Sequence, residues 1–521
     1  MKKTLVILLL LSVGRLCFSQ EQNVFNYNYP LAWQYDSHAM INLNNNYYIC
    51  GNVARQEMPC IYWLMGFHVS KINSDGIFDT IRYFDKCEQG TYTGFLSQTM
   101  CTKGDSICII GNVSTDSLTI AFILLLNEDL DTINNHNIFS DTLTRRMHAV
   151  IPKNNSFITC GCVDSSYNAI NNPTPSLTYT QALISEIEHN GEIKWTKDYR
   201  FDTNGGNCWS VFHDLCITPD NGIIVLGITY DLGSPRRNLI MKTDSLGNQQ
   251  WVRFYGNASY ENPFFTDIIP THDSCYIVCG AYTYGETFGG LYPYDGWIIK
   301  IDNNGNTKWE KKHRDYVVEN TDWRDTIYNV FNGIVELDDG RFAAISTSKN
   351  GIAYGRKPKL YVFNEEGDSL FTKLYETLNP WYNPTSIQIT NDNGFAIAGY
   401  GDFYDWDEEN NVWVSSQRIF LIKTDSLGND TLISDISPVE SKPVTEFKLE
   451  CYPNPASSEF FVELPLGMDD DVLEVYSTTG SLVWQQNVGV GTNRVGIFGL
   501  KPGMYLVRIR GAGLYGKIII E

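Results

Sequence analysis

Three histidines recur at related places in the sequence and are the first candidates for chemistry. His38, His148 and His213 each fall at the start of a strand-like segment, where an imidazole could exchange a proton with a ligand. The motifs that fix a reaction class are missing, since the sequence has no HExxH, no GxSxG, no Walker loop and no GxGxxG in a βαβ context. The sequence therefore predicts no catalytic residue. It leaves the histidines as either channel-facing groups or ordinary strand-start residues.

Two aromatic-rich segments are candidates for ligand binding. They are YTYGETFGGLYPYDGW (Tyr282 to Trp297) and YGDFYDWDEENNVW (Tyr400 to Trp413), and both are longer than the turns at the corresponding places elsewhere. Exposed Tyr and Trp rings can stack on sugar rings or peptide side chains. The predicted ligand contacts are Tyr284, Tyr292, Tyr294, Trp297, Tyr404 and Trp406. The alternative is that these rings pack on one another and stiffen the loops.

The second aromatic segment also carries carboxylates. Asp402, Asp405, Asp407 and Glu408 could hold calcium, which binds carboxylate oxygens. Calcium is the only cofactor that the sequence suggests. The cysteine spacings lack the matching cysteine or histidine pairs of a zinc site.

The cysteines suggest disulfides within repeats. The chain has 13 cysteines, and in an oxidising compartment such residues can pair. Equivalent cysteines of different repeats, such as Cys50 and Cys160, are expected to be buried and too far apart to bond. The candidate pairs are Cys101 with Cys108, Cys208 with Cys216, and Cys275 with Cys279.

A strand-turn-strand phrase that recurs along the chain indicates the elements that carry these residues. KTDSLGN occurs at Lys242 to Asn248 and again at Lys423 to Asn429, with relatives such as KIDNNG at Lys300 to Gly305. An apolar strand that usually ends in glycine precedes each copy, for example IIVLG ending at Gly227. Seven such repeats of four strands predict a seven-bladed β-propeller over residues 23–432.

A large ring stands at a fixed place in four of the repeats. Trp195, Trp251 and Trp309 each follow their turn glycine by four residues, and Phe371 takes this place in the sixth repeat. A ring conserved in position from repeat to repeat is expected to pack between neighbouring sheets. The three tryptophans are therefore predicted to be equivalent and largely buried.

The two ends of the sequence differ from the repeats. Lys2, Lys3 and the apolar stretch that follows predict a signal peptide over residues 1–19, too short to span a bilayer. Residues 433–446 form a linker by their proline content and lack of apolar periodicity. Residues 447–521 contain five short alternating segments, which predict a small β-sandwich.

The last domain contains specific sequence strings. They are YPNPA (Tyr452 to Ala456), VYSTTG (Val475 to Gly480), LKPGMYLVRI (Leu500 to Ile509) and KIIIE (Lys517 to Glu521). In combination they resemble the type A sorting domain of the type IX secretion system of Bacteroidetes. The motif residues are Tyr452, Pro453, Asn454, Pro455, Gly480, Gly503, Tyr505 and Lys517. This resemblance implies passage through the periplasm and across the outer membrane, the secretion machinery as a partner, and release or attachment at the cell surface.

The composition agrees with an extracellular protein. The net charge is -21, which disfavours nucleic acid and anionic membranes as partners because both attract clustered Lys and Arg. No segment is long and apolar enough for a transmembrane helix. We expect a secreted or surface-attached binding module for a glycan or a protein. The alternatives are a secreted hydrolase or lyase acting on polysaccharide or peptide, and a structural surface protein; the missing motifs favour the binding module.

Overall fold

We describe the protein from a computed structural model. The residues it describes are 25–29, 34–35, 37–56, 63–84, 91–93, 99–114, 119–139, 143–165, 179–201, 208–231, 237–255, 263–283, 294–314, 328–349, 355–376, 381–407, 412–430, 449, 451–464, 471–477, 482–489, 491–497, 499–509 and 514–521. The chain divides into two compact units, Met1–Ile436 and Ser437–Glu521. All elements in these ranges are β-strands, which confirms the all-β prediction. No helix among the described residues is long and apolar enough to span a membrane.

The strands of the first unit follow the seven sequence repeats, and within each repeat they pair antiparallel. Repeat 1 has β2 (Gln34–Tyr35), β3 (Ala39–Leu43), β4 (Asn46–Gln56), β5 (Trp63–Ile72) and β6 (Phe78–Phe84); repeat 2 has β7 (Thr91–Thr93), β8 (Met100–Lys103), β9 (Ser106–Ser114), β10 (Thr119–Leu126) and β11 (Thr132–Asn137); repeat 3 has β12 (Thr144–Lys153), β13 (Ser156–Ser165), β14 (Tyr179–Glu188) and β15 (Ile193–Tyr199); repeat 4 has β16 (Cys208–Ile217), β17 (Ile223–Asp231), β18 (Arg237–Thr243) and β19 (Gln249–Tyr255). Repeat 5 has β20 (Phe264–Pro270), β21 (Tyr276–Thr283), β22 (Tyr294–Ile301) and β23 (Thr307–His313); repeat 6 has β24 (Tyr328–Glu336), β25 (Phe342–Lys349), β26 (Lys357–Phe363) and β27 (Ser369–Leu374); repeat 7 has β28 (Trp381–Ile389), β29 (Phe395–Asp407) and β30 (Val412–Lys423). Strand β1 (Phe25–Tyr29) precedes repeat 1 but pairs antiparallel with β30, from Phe25↔Lys423 to Tyr29↔Ile419.

The first strand carries a β-bulge in repeats 3 to 7. The bulged residues are His148, His213, Thr266, Asn332 and Thr385. A bulge adds one unpaired residue and re-aims its side chain. In repeats 1 and 2 two short pieces, β2 with β3 and β7 with β8, pair with the second strand instead.

The bulge explains the glycine that ends the second strand in the sequence repeat. An added Cβ at Gly161 would stand 1.9 Å from the Arg146 carbonyl oxygen, and one at Gly280 would stand 2.1 Å from that of Phe264. In these two repeats the first strand approaches the second too closely for a side chain at this position, whereas repeat 6 has Ser346 there.

Buried apolar clusters lie between consecutive repeats. The cluster between repeats 4 and 5, for example, joins Leu226 and Ile240 to Phe265 and Val278. The equivalent cluster at the ends of the array joins Met40 and Ile49 of repeat 1 to Ala398 and Leu421 of repeat 7. The hydrophobic core of the first unit therefore lies between the sheets.

The recurring tryptophans contact the turn of the next repeat. Trp309 lies on β23, and an added Cβ at Gly367, in the turn after β26, would stand 2.5 Å from its Cζ3 atom. Trp309 Nε1 also donates a 3.1 Å hydrogen bond to the Glu365 carbonyl. Trp195 and Trp251 face Gly247 and Gly305 in the same way. All three rings are largely covered, as predicted, and keep some exposed surface because they stand on the outermost strand of their repeat.

The described cysteines of the predicted disulfide pairs are free in this structure. Cys101, Cys108, Cys216, Cys275 and Cys279 are free and buried, and the Cys208 side chain lies outside the described part. Cys208 and Cys216 stand on one strand, β16. Cys275 lies one residue before β21, the strand that carries Cys279. Four residues of strand span about 13 Å, beyond the reach of a disulfide. Cys101 and Cys108 are directly opposite each other on β8 and β9.

The second unit consists of two sheets around one core. The strands are β31 (Cys451–Tyr452), β32 (Glu459–Leu464), β33 (Asp471–Ser477), β34 (Leu482–Val488), β35 (Gly491–Gly496), β36 (Gly503–Ile509) and β37 (Leu514–Ile520). One sheet has the order β31-β32-β35 and the other β34-β33-β36-β37. Phe460 and Val462 of the first sheet share a buried cluster with Val475, Val507 and Ile518 of the second.

Candidate functional site

The bulged residues of the first strands form a chain of hydrogen bonds from repeat to repeat. His148 Nδ1 donates to the Phe212 carbonyl at 2.9 Å, and His213 Nε2 donates to the Phe265 carbonyl at 3.0 Å. Each acceptor is the residue just before the bulge of the next repeat.

Repeats 5 and 6 continue this chain with other donors. Thr266 Oγ1 donates to the Phe331 carbonyl at 2.7 Å, and Asn332 Nδ2 donates to the Pro384 carbonyl at 2.7 Å. The bulges thus tie the first strands together and fix the directions of these side chains.

A cavity of about 730 Å³ lies over these bulged residues. We call it the first cavity. It is lined by the bulged residues named above, by His38, and by side chains near the beginnings of the first strands and the ends of the second strands. Its aromatic lining includes Trp209, Phe264 and Tyr400, and its charged lining includes Arg146 and Arg356. The volume lies in the range of about 300–1,000 Å³ typical of small-ligand sites.

A second cavity of about 390 Å³ lies further along the first strands. His38, Asn332 and Thr385 line both cavities. The other lining side chains of the second cavity are mostly apolar, such as Met40, Ile151 and Ile269. Polar ligand chemistry is therefore concentrated in the first cavity.

The histidines of the first cavity differ in their surroundings. Burial lowers the pKa of His148 to about 4, so its imidazole is neutral at pH 7. Because Nδ1 donates to Phe212, Nε2 is the nitrogen that can accept a proton. His38 Nε2 lies 2.8 Å from Asn52 Nδ2. His38, His148 and His213 all line the first cavity.

Two carboxyl groups stand one residue after the bulges of repeats 4 and 5. Asp214 accepts hydrogen bonds from the Leu215 and Ile268 amides at 2.7 and 2.8 Å. Asp267 accepts one from the Ile334 amide at 2.9 Å. Burial and the neighbouring Asp267 raise the pKa of Asp214 well above its ordinary value, and the two carboxyl groups are hydrogen-bonded. Through these hydrogen bonds the two carboxyl groups link repeats 4, 5 and 6.

The structure places the predicted aromatic ligand contacts in different environments. Tyr294 is half-buried on β22, and its ring packs edge-on against Phe264 of the first cavity at 5.6 Å. Trp297, also on β22, is 3% exposed and stacks on Phe265 at 4.6 Å, so its ring belongs to the core between repeats 4 and 5. It is buried because the strand has already begun at this residue, and alternate side chains of a strand face the neighbouring sheet.

The side chains of the other four predicted contacts lie outside the described part of the structure. Tyr284 and Tyr292 lie outside the described residues. Tyr404 and Trp406 lie on β29, but their side chains are not described. Sequence reasoning missed Arg146 and Arg356. Arg356 stands at the place that Arg236 takes in repeat 4, eleven residues before the turn glycine. For Arg146 the sequence offers a positional signal, because Arg146 lies two residues before a bulged histidine.

The calcium hypothesis concerns the hairpin of β29 and β30, which also carries Tyr404 and Trp406. Asp402 Oδ1 accepts a hydrogen bond from Gln417 Nε2 at 2.9 Å. The side chains of Asp405 and Asp407 are not described, and Glu408 lies outside the described residues. Within the described ranges, no group of three or more His, Cys, Asp or Glu side chains is arranged to hold a metal ion.

The first and last strings of the sorting motif meet in the second unit. Asn454 Nδ2 donates to the Lys517 carbonyl at 2.9 Å, and Asn454 Oδ1 accepts from the Ile519 amide at 2.9 Å. Tyr452 stacks on Phe461 at 6.0 Å, and Tyr505 donates to the Lys501 carbonyl at 2.8 Å.

The remaining motif residues lie around these contacts. Pro453 and Pro455 flank Asn454 and are exposed, Gly503 begins β36, and Gly480 lies outside the described residues. YPNPA is thus held along the C-terminal strand, which explains why the two strings occur together.

Comparison with known families bears on this second unit. Residues 450–521 match the family model described as the secretion system C-terminal sorting domain. The C-terminal unit carries a type IX secretion sorting domain. The resemblance read from the sequence is confirmed, and the protein is a secreted one, exported through the periplasm to the cell surface or the extracellular space.

Solved structures resemble the chain only distantly. An α-L-arabinofuranosidase of Fusarium graminearum is 11% identical with a TM-score of 0.40, covering 76% of this chain and 96% of its own. An ulvan lyase of polysaccharide lyase family PL25 is 8% identical with a TM-score of 0.47, covering 77% and 96%. Drosophila Semaphorin 2a is 9% identical with a TM-score of 0.39, covering 96% and 97%. At these scores the likeness assigns no function. No curated protein matches the chain.

Proposed function

We propose that the first unit is a closed seven-bladed β-propeller in which β1 serves as the fourth strand of repeat 7. The apolar cluster between repeats 7 and 1 supports closure. Gln388 Nε2 of repeat 7 donates to the Met40 carbonyl of repeat 1 at 2.7 Å, and the Ser37 and Thr385 hydroxyls lie 3.3 Å apart. Closure would remove the exposed sheet edges that invite aggregation.

The secreted propeller acts as a binding module whose ligand is a glycan or a protein and whose site is the first cavity. The observation that carries this proposal is the lining of the cavity, which comes from repeats 1 and 3 to 7 and combines aromatic, amide, hydroxyl and guanidinium groups. Convergent polar groups beside apolar and aromatic side chains are typical of ligand sites.

The bulged side chains that line the cavity are held in place without a ligand. The bulged side chains are already fixed by hydrogen bonds to the next repeat, as His148 is to Phe212 and Thr266 is to Phe331. A ligand therefore has few side chains to immobilise, which lowers the entropic cost of association.

A second candidate function is that of a hydrolase or lyase acting on the ligand. The observation that favours it is His148, a neutral imidazole with Nε2 able to accept a proton, in the lining of the first cavity. A neutral histidine beside a bound substrate is suited to general base catalysis.

The export route completes the proposal. A signal peptide at residues 1–19 delivers the chain to the periplasm, the propeller spans residues 23–432, and the linker at 433–446 connects it to the sorting domain at 447–521. The product is released or attached at the outer surface, where a soluble or surface polymer would reach the first cavity.

Binding of the full chain to an array of glycans and peptides tests the proposal. Trp209→Ala and Tyr400→Ala should each weaken binding by about five- to 150-fold, since stacking on an aromatic face contributes about 1–3 kcal/mol. Phe254→Ala is the matched control, because Phe254 is an exposed ring on the outer strand β19.

Two results would change the conclusion. Equal binding by all three variants would place the ligand elsewhere. New reducing ends or unsaturated sugars made by the wild type, and lost in His148→Gln, would establish the enzyme instead.

A further inference from the structure

We propose that the first cavity binds an acidic carbohydrate, with Arg146 and Arg356 holding its carboxylate or sulfate groups. This inference rests on the proposed function and names the ligand class of the same site.

The lining of the first cavity has a charge opposite to that of the chain. The sequence contains 60 acidic and 39 basic residues. Among the described residues, the only fully charged side chains of the lining are Arg146 and Arg356, and no Asp or Glu belongs to it. Arginine is suited to planar anions, because its fork of N–H donors matches carboxylate and sulfate oxygens.

Arg146 retains donors for a ligand despite its ion pair. Its Nη1 atom lies 2.9 Å from Asp164 Oδ2, and the Arg146 side chain is 43% exposed. One carboxylate occupies at most two of the five guanidinium donors. Asp164 therefore orients Arg146 and leaves N–H groups for a bound anion.

Arg356 is fixed through its backbone. Its carbonyl accepts a hydrogen bond from the Tyr382 amide at 2.8 Å, and its guanidinium lies 5.6 Å from the centre of the Trp381 ring. Arg146 belongs to repeat 3 and Arg356 precedes β26 of repeat 6. In the proposed ring these repeats stand across the axis from each other, so the two arginines can hold two anionic groups of one ligand.

The neutral part of the lining favours a carbohydrate over an acidic peptide. Sugars present apolar ring faces as well as hydroxyl groups, and Trp209 and Tyr400 offer rings for the faces. Asn332 donates to Thr347 Oγ1 and Pro384 O, each at 2.7 Å, which leaves its Oδ1 to accept from a hydroxyl. A repeating acidic sugar would place its anions at intervals along such a wall.

The carboxyl groups closest to the bulges do not oppose an anion. Asp267 lines the second cavity and not the first. Burial and the neighbouring Asp267 raise the pKa of its partner Asp214, which favours the uncharged form. The floor of the first cavity thus carries less negative charge than its residues suggest.

The test is calorimetric titration of the full chain with defined probes. They are oligogalacturonate, dextran sulfate, neutral dextran and poly-L-glutamate. We expect binding of at least one of the two acidic glycans, a weaker or absent response to neutral dextran, and none to poly-L-glutamate. The first two probes separate a carboxylate from a sulfate ligand.

Arginine variants assign the binding to the cavity. Arg146→Gln and Arg356→Gln should each weaken the acidic glycan by about tenfold or more, the effect of losing a charge-assisted hydrogen bond. Arg146→Lys should lose less, because it keeps the charge beside Asp164. Arg253→Gln is the control, because Arg253 stands on the outer strand β19 and donates to the Asn304 carbonyl at 3.2 Å.

Each contrary outcome overturns the inference in a recognisable way. Neutral dextran that binds as tightly as the acidic glycans, and is lost in Trp209→Ala, would leave the proposed function standing without its anionic ligand. Binding of poly-L-glutamate alone would assign the site to an acidic peptide. No response to either acidic glycan, or equal affinities in Arg146→Gln, Arg356→Gln and Arg253→Gln, would also refute it.

Discussion

The contact between a turn glycine and the tryptophan of the preceding repeat can be tested by adding one methyl group. Gly367 has a φ of +78°, and an added Cβ would stand 2.5 Å from Trp309 Cζ3 and 2.6 Å from Cη2. Gly104 is the matched control, because its φ is +56° and an added Cβ meets nothing within 4 Å. Alanine is strained at both positions but collides with a ring only at Gly367.

The expected magnitudes follow from these two geometries. Gly104→Ala should lower the free energy of unfolding by about 1–2 kcal/mol, the cost of a left-handed residue with a Cβ. Gly367→Ala should lower it by about 1–3 kcal/mol more, because carbon atoms prefer separations near 3.5–4.0 Å and the ring must shift. In a Trp309→Leu background this second contribution should largely disappear, as expected for a direct contact.

Denaturant unfolding of the full chain, followed by far-ultraviolet circular dichroism, measures these differences. The second unit is the same in every variant, so its own transition cancels in the comparison. Gly367→Ala and Gly104→Ala with free energies of unfolding within about 0.5 kcal/mol of each other would refute the contact. An undiminished effect of Gly367→Ala in the Trp309→Leu background would refute it as well.

Three other predictions concern protonation, cysteine oxidation and export. The raised pKa of Asp214 means that the folded state holds this proton more tightly than the unfolded state, so wild-type stability should fall as pH rises above about 4, the ordinary carboxyl range. Asp214→Asn should reduce that fall in unfolding experiments from pH 4 to pH 8, and parallel curves would contradict it. Mass spectrometry after folding in a glutathione buffer should find Cys101 linked to Cys108 in preference to any other described pair, because opposite residues of a hydrogen-bonded strand pair lie about 5.5 Å apart; linkage of other pairs instead would contradict this. Residues 447–521, fused behind a signal peptide and an unrelated reporter, should carry that reporter across the outer membrane of a host with the type IX machinery, and periplasmic retention of the intact fusion would exclude the sorting role.

The strand plan was predictable from the sequence because its signals are local. The glycine found in most second strands, such as Gly161 inside β13, marks a place where the backbone of the first strand excludes a side chain. The turn phrase around Gly247 marks a left-handed residue that closes a hairpin. Each signal needs only a few consecutive residues, so it survives repetition and can be recognised without knowledge of the neighbouring repeats.

The candidate site was harder to predict because its residues are distant in sequence. His38 and Thr385 line the same cavity but stand at opposite ends of the array, and no local pattern connects them. The ligand contacts in the aromatic segments were predicted from composition alone. That criterion also selected Trp297, which is a core residue. Arg146 and Arg356 were missed because they lie far apart in the sequence and neither belongs to a motif of a known reaction class.

The bulged residues show how such a site can vary while the scaffold stays constant. The bulge position requires a side chain that can donate a hydrogen bond to the next repeat. A histidine meets this requirement in repeats 3 and 4, a threonine in repeat 5 and an asparagine in repeat 6.

Because imidazole, hydroxyl and amide groups serve equally well as donors, the scaffold alone does not decide among them. The choice of His148, His213, Thr266 and Asn332 is therefore open to selection by whatever occupies the cavity that these residues line. This separation of structural and chemical roles is why we place the ligand in the first cavity rather than on the outer strands. There, Trp309 and its equivalents are constrained by the turn of the next repeat.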